Sequence, residues 1–199
     1  MGMIICFSGL DGCGKGTQKE LLAKRLRRRG RRVFMSKAYG EAEKECFSAF
    51  VSQWSQESIL FLFQALHAEQ RLQAEAALAR GEIVIADRWD ESYLAYHAAH
   101  GILARNPDLR EALNGIAFSG ILPDLAFFLD LPVDAAKQRI ESRGSDFFDR
   151  LPAVYHRTMR NEYLRIARER GWHILDGARS VEKIHADVME LVSKHISLR

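Results

Sequence analysis

Hydrophobic and polar positions fall into two kinds of block. Short apolar runs occur at Met3-Ile4-Ile5-Cys6-Phe7, Arg32-Val33-Phe34-Met35-Ser36, Glu82-Ile83-Val84-Ile85-Ala86, Leu125 to Leu131 and Trp172 to Asp176. Such runs predict strands, and their near-continuous apolar character is that of strands covered on both faces. Between them the pattern changes to helical spacing. Gln18 to Arg29 carries Leu21, Leu22 and Leu26 on one side, and helices are predicted over Ala42–Trp54, Gln56–Arg80, Ser92–His100, Pro107–Phe118, Val133–Arg143, Pro152–Arg170 and Val181–Ile196. Asn106-Pro107-Asp108 is a helix start and Gly81 a helix stop. On the long third helix Ile59, Phe63, Leu66 and Gln70 share a stripe, which assigns Ile59 and Leu66 to the core. Five strands alternating with helices give an α/β fold: a five-stranded parallel sheet with helices on both faces. No repeat, linker or low-complexity tract interrupts it, so residues 1–199 read as one domain.

Composition narrows this only a little. A chain of 199 residues, 47% hydrophobic and 28% charged, buries a proper core. The formal net charge of +3 gives no case for nucleic acid. The dense run Arg27 to Arg32 reads as cations complementing a helix C-terminus closed by Gly30, since it lacks interleaved aromatics for base stacking. Three cysteines, Cys6, Cys13 and Cys46, show no metal-ligand spacing and suit a reducing compartment. No signal peptide or membrane span is visible, which points to the cytoplasm and away from a membrane.

The chemistry concentrates after the first strand, in Gly9-Leu10-Asp11-Gly12-Cys13-Gly14-Lys15-Gly16-Thr17-Gln18. A strand, a glycine-rich turn and a helix opened by Lys and Thr is the phosphate-cradling (Walker A) arrangement. Glycines let successive N–H groups converge on one anion, and the helix N-terminus adds its unsatisfied donors. Lys15 supplies a mobile cation for β- and γ-phosphates. Gly16 separates Lys15 from Thr17, an ending similar to that of nucleoside-monophosphate kinases of the adenylate kinase type.

Asp87 and Arg88 stand at the tip of the third strand, on the ligand-binding side of such a sheet. Asp87 suits Mg²⁺, directly or through water, and the Arg88 fork suits phosphate. Lys37 to Glu41 is the exit loop of the second strand on the same side. Gly144 to Arg150, flanked by arginines, reads as a short mobile lid over about 143–151.

Over nearly its whole length the chain resembles the thymidylate kinase family of P-loop nucleoside-monophosphate kinases. The carriers are the Gly9–Gln18 loop with Asp11 in it, Asp87-Arg88-Trp89-Asp90-Glu91-Ser92-Tyr93-Leu94-Ala95-Tyr96-His97, Pro123-Asp124-Leu125 before Leu129-Asp130, and Arg139 to Arg143-Gly144 with Asp149-Arg150. The resemblance implies a P-loop NTPase fold, ATP and Mg²⁺, small nucleotides as the only partners besides a second copy in a homodimer, and transfer of the γ-phosphoryl group to dTMP. It implies Lys15, Arg88, Asp11, Arg143 and Arg150 as catalytic residues. The acceptor pocket it implies contains Asp11, Lys37, Phe63, His67, Arg88, Ser92, Tyr96 and His97. One segment and two single positions depart from the family pattern: Lys37-Ala38-Tyr39-Gly40-Glu41 stands for Arg-Glu-Pro-Gly-Gly, His67 for a base-reading Arg, and His97 for a common Gln. The residues leave two alternatives open: a kinase for another pyrimidine nucleoside monophosphate, and a non-catalytic ATP-binding regulator.

Overall fold

A computed structural model of the chain describes residues 2–40, 43, 50–51, 53–99, 102–141 and 149–197. Five strands form one sheet: β1 (Met3–Ser8), β2 (Val33–Lys37), β3 (Ile83–Asp87), β4 (Leu125–Asp130) and β5 (His173–Asp176). Their order across the sheet is β2-β3-β1-β4-β5, with every pairing parallel. β1 therefore lies in the centre, with Cys6 opposite Ala86 on one side and Ala126 on the other. Seven helices are described: α1 (Lys15–Arg28), α2 (Gln56–Ala79), α3 (Asp90–Ala99), α4 (Pro107–Phe118), α5 (Val133–Glu141), α6 (Ala153–Glu169) and α7 (Val181–Ser197).

Strand alternation explains why the apolar runs are unbroken. Met3, Ile5 and Phe7 of β1 face a core built with Leu22 and Leu26 of α1 and Ile184, Val188 and Val192 of α7. Ile4 and Cys6 face the other way, onto Ala74 and Ala77 of α2 and Phe118 of α4. A third cluster joins Leu10 and Phe128 to Tyr93 and Leu94 of α3 and Met159 and Tyr163 of α6. Both faces of the sheet are thus covered, as a parallel sheet requires.

The elements follow the hydrophobic pattern, with shifts of one to three residues. α1 begins at Lys15 rather than Gln18, and α3 at Asp90 rather than Ser92. The Arg27–Arg32 run behaves as a helix end: α1 stops at Arg28, Gly30 turns the chain with φ +74°, Arg27 donates to the Val33 carbonyl and Arg32 to that of Arg80. Asn106 caps α4 by accepting from the Leu109 amide at 3.1 Å. One core assignment is corrected. Ile59 is buried, but Leu66 is half-buried, and the buried positions of α2 are Ile59, Leu60, His67, Gln70, Ala74 and Ala77. Most of the helix expected over 42–54, together with Cys46, lies outside the described residues. So do Arg143 and most of the segment expected to form a lid.

Candidate active site

The loop after β1 is shaped by backbone geometry that only glycine adopts comfortably. Gly9 has φ +141° and Gly12 φ +80°. A Cβ at Gly9 would lie 2.6 Å from the Leu129 carbonyl oxygen, and one at Gly12 equally close to that of Ala136. The loop is thus pressed onto the end of β4 and onto α5. α1 starts directly from Gly14, with no side-chain cap and no acidic residue in its first turn. Its N-terminal amides and the positive end of its dipole are left to an anion.

Lys15 is buried and held from within the loop. Its Nζ donates to Asp11 Oδ1 at 2.7 Å and to the Leu10 carbonyl at 3.3 Å. Burial and neighbouring Arg88 press its pKa down, Asp11 pulls it up, and the balance lies above the ordinary lysine value. The same Asp11 oxygen accepts from Arg88 Nη2 at 3.2 Å.

Arg88 sits at the tip of β3 with φ +66°, a left-handed conformation unusual for a side chain of this size. Both of its main-chain groups are engaged: the amide donates to the Phe7 carbonyl at 3.0 Å, and the carbonyl accepts from Gln70 Nε2 at 3.1 Å. Its guanidinium donates to the Tyr163 hydroxyl at 2.6 Å. Tyr163 donates in turn to Ser92 Oγ at 3.1 Å, and Ser92 to Glu91 Oε1 at 3.0 Å. Glu91 is fully buried, and burial together with Asp90 raises its pKa. Burial disfavours the Arg88 charge, yet its acidic surroundings keep its pKa well above the ordinary value.

Asp87 precedes Arg88, and its Oδ2 accepts from Lys19 Nζ at 2.6 Å. Burial tends to raise its pKa; Lys15, Lys19 and Arg88 outweigh this and hold the carboxyl below its usual range. Its Oδ1 has no hydrogen-bond partner among the described residues. Among the described residues no cluster of three or more His, Cys, Asp and Glu is arranged for a metal. A cage made only of protein ligands is therefore absent there. One carboxylate with an unpartnered hard oxygen fits a Mg²⁺ ion held largely by phosphate and water.

Asp11, Lys15, Asp87, Arg88, Ser92 and Tyr163 line one cavity of about 1120 Å³. Of the residues singled out from sequence, it brings together Leu10 to Gln18, Lys37, Phe63, His67, Asp87, Arg88, Ser92, Tyr96 and His97. Gly9 is not on its wall. Arg150 is exposed and off the wall, where its neighbour Asp149 stands instead. Sequence reasoning missed Lys19 and Tyr163. It also gave no role to Tyr39, Tyr93, Tyr155, His156, Met159 and Arg179, which complete much of the lining, while Arg139, read with the lid segment, lies on the wall too. Tyr39 meets Phe63 edge-on at 6.0 Å, and Phe63 lies 6.4 Å from the His67 ring. His67 and His97 are both buried, and burial lowers the pKa of each to about 4.

A glycine-rich loop between the central strand and an uncapped helix, facing an acid on the adjacent strand tip, puts the chain among P-loop nucleotide-binding proteins. Comparison with known proteins is more specific. The model of the family described as thymidylate kinase matches residues 7–188. A thymidylate kinase of Thermosipho africanus is 30% identical, over 98% of this chain and 99% of that protein. One from Ruegeria pomeroyi is 34% identical, over 98% and 97% respectively. The chain belongs to the thymidylate kinase family.

Proposed function

We propose that this protein transfers the γ-phosphoryl group of ATP to the 5′-phosphate of dTMP, giving ADP and dTDP. One observation carries the reading: a single cavity reaches from the phosphate loop to Phe63 and His97, with Asp11 and Arg88 in contact on its wall. A protein that only bound ATP would have no use for the second half of that cavity.

The backbone amides of Gly12 to Thr17, with Lys15, hold the β- and γ-phosphates. Arg88 and Lys37 bring the acceptor phosphate in line, and Asp11 orients the acceptor sugar. Phe63 stacks on the base, and His67, Ser92, Tyr96 and His97 complete the pocket. An acceptor phosphate oxygen, already anionic, forms the new bond to the γ-phosphorus as the bond to the β,γ-bridging oxygen breaks. That oxygen leaves on ADP, and no general base is needed. Catalysis rests on positioning and on charge stabilisation. Asp87 is the residue that would hold Mg²⁺, directly or through water, an ion that neutralises the β- and γ-phosphate oxygens when bound. Arg150 supplies a cation to the transferring group when the segment around 143–151 closes as a lid on the one domain.

By its resemblance to the family the protein works as a homodimer in the cytoplasm. No described helix is long and apolar enough to cross a membrane. His67 and His97, two neutral rings at the base end of the pocket, favour one second reading: a kinase for another pyrimidine monophosphate. ADP release from ATP and Mg²⁺ with dTMP, dUMP, UMP, CMP, dCMP, AMP and GMP tests both. Preference for dTMP supports the proposal, preference for another pyrimidine selects the second reading, and acceptor-independent behaviour overturns both.

A further inference from the structure

We propose that His67 reads the acceptor base as a hydrogen-bond acceptor, through Nε2, with its tautomer fixed by Gln70 and the carbonyl of Arg88. The inference rests on the nucleoside-monophosphate kinase reading and adds to it the polarity of the base contact.

The argument starts at the Arg88 carbonyl, which can only accept. Gln70 Nε2 donates to it at 3.1 Å, so the amide orientation of Gln70 is set, and its Oε1 must face the other way. There Oε1 lies 3.4 Å from His67 Nδ1. An amide oxygen can only accept, so Nδ1 carries the hydrogen. Burial keeps the ring neutral at pH 7, and a neutral imidazole has one N–H. Nε2 is then a bare lone pair. It makes no hydrogen bond among the described residues, and His67 lines the cavity one turn beyond Phe63, with Phe118 packed at 5.2 Å.

An arginine at this position would only donate; His67 only accepts. It therefore selects a base that presents an N–H to it, and disfavours one that presents a bare acceptor at that point. The N3–H of thymine or uracil does so at the centre of the base-pairing edge. Gln70, 1% exposed and off the cavity wall, acts as a positioning residue. It fixes which ring nitrogen of His67 is bare and holds the main chain of Arg88 in its left-handed turn. The reading of the base and the placing of the phosphate-binding arginine thereby share one short hydrogen-bonded chain.

Long-range ¹⁵N–¹H NMR of the histidine rings tests this. His67 is assigned by its disappearance in H67F, or in H67Q should H67F not fold. The expected spectrum is that of the Nδ1–H tautomer, and the Nε2 resonance moves upfield as dTMP saturates the protein. Q70M, which cannot accept from Nδ1, is expected to populate the Nε2–H tautomer. In kinetics H67F is expected to raise KM for dTMP about tenfold, with kcat changed less than about threefold. An Nε2–H tautomer in the unaltered protein, or an Nε2 resonance unmoved while calorimetry shows dTMP bound, overturns the inference and leaves the kinase reading intact. Absence of dTMP binding overturns both.

Discussion

Lys19 Nζ lies 2.6 Å from Asp87 Oδ2, tying the helix that follows the phosphate loop to the tip of the neighbouring strand. The pair spends one carboxylate oxygen on structure and leaves Oδ1 for other work. Asp87→Asn is expected to raise the Mg²⁺ concentration for half-maximal ADP release at least about tenfold, as loss of a metal-orienting group commonly does. An unchanged Mg²⁺ dependence would move the metal away from Asp87.

Lys15 tests the donor half. Its partners, the Asp11 carboxylate and the Leu10 carbonyl, are polar groups of the loop itself. Lys15→Ala is therefore expected to lower kcat/KM by about 10³-fold or more while the thermal midpoint moves by only a few degrees. Normal turnover in this variant would sink the assignment.

The two buried histidines set a pH dependence of stability. Each has a folded-state pKa near 4 against an ordinary value of 6.5. In that window the unfolded chain binds protons that the folded protein refuses. Stability is complete above about pH 6.5 and falls as pH drops toward 4, by about 1–2 kcal/mol per histidine between pH 7 and 5. Urea titrations at the two pH values measure it. H67F should remove its share of the difference, and an equal slope in H67F would show that His67 already titrates normally.

Two glycines of one loop should respond oppositely to alanine. Gly12 has positive φ and a carbonyl 2.6 Å from the added Cβ, so Gly12→Ala is expected to cost about 1–3 kcal/mol and to weaken ATP binding. Gly16 lies in the first turn of α1 with nothing within 4 Å, so Gly16→Ala should raise stability by about 0.5 kcal/mol. Denaturant unfolding distinguishes the two, and equal effects would contradict the loop geometry.

The strands and the phosphate loop were legible because each is written locally. An apolar run buried on both faces looks the same wherever it sits, and the Gly9–Thr17 spacing carries its own backbone requirement. Tyr163 was not legible. It reaches Arg88 only because α6 packs against α3, and nothing near residue 163 in sequence refers to residue 88. Lys19 looked like one more cation on an amphipathic helix, and the acid it meets lies 68 positions away. Along α2 the apolar stripe pointed to Leu66, whereas the position taken inward is His67, since Gln70 satisfies one of its nitrogens. Buried polar pairs are invisible to a pattern that sorts residues by polarity alone. The lid expected around 143–151 and the helix over 42–54 fall largely outside the described residues.

Because β1 is central, its two neighbours come from far along the chain: β3 and β4 end at Asp87 and Asp130. The Ile4 amide donates to Asp124 Oδ2 at 2.7 Å, a tie across 120 residues. Residues 9–17 hold the whole phosphate loop and the Lys15 contacts inside it, but not the β4 and α5 carbonyls against which its glycines lie. Gly9 lies against the Leu129 carbonyl of β4, and Gly12 against the Ala136 carbonyl of α5. The motif is thus local in sequence and the site is not: a chain cut short of β4 would carry the glycines without the backbone that shapes the loop.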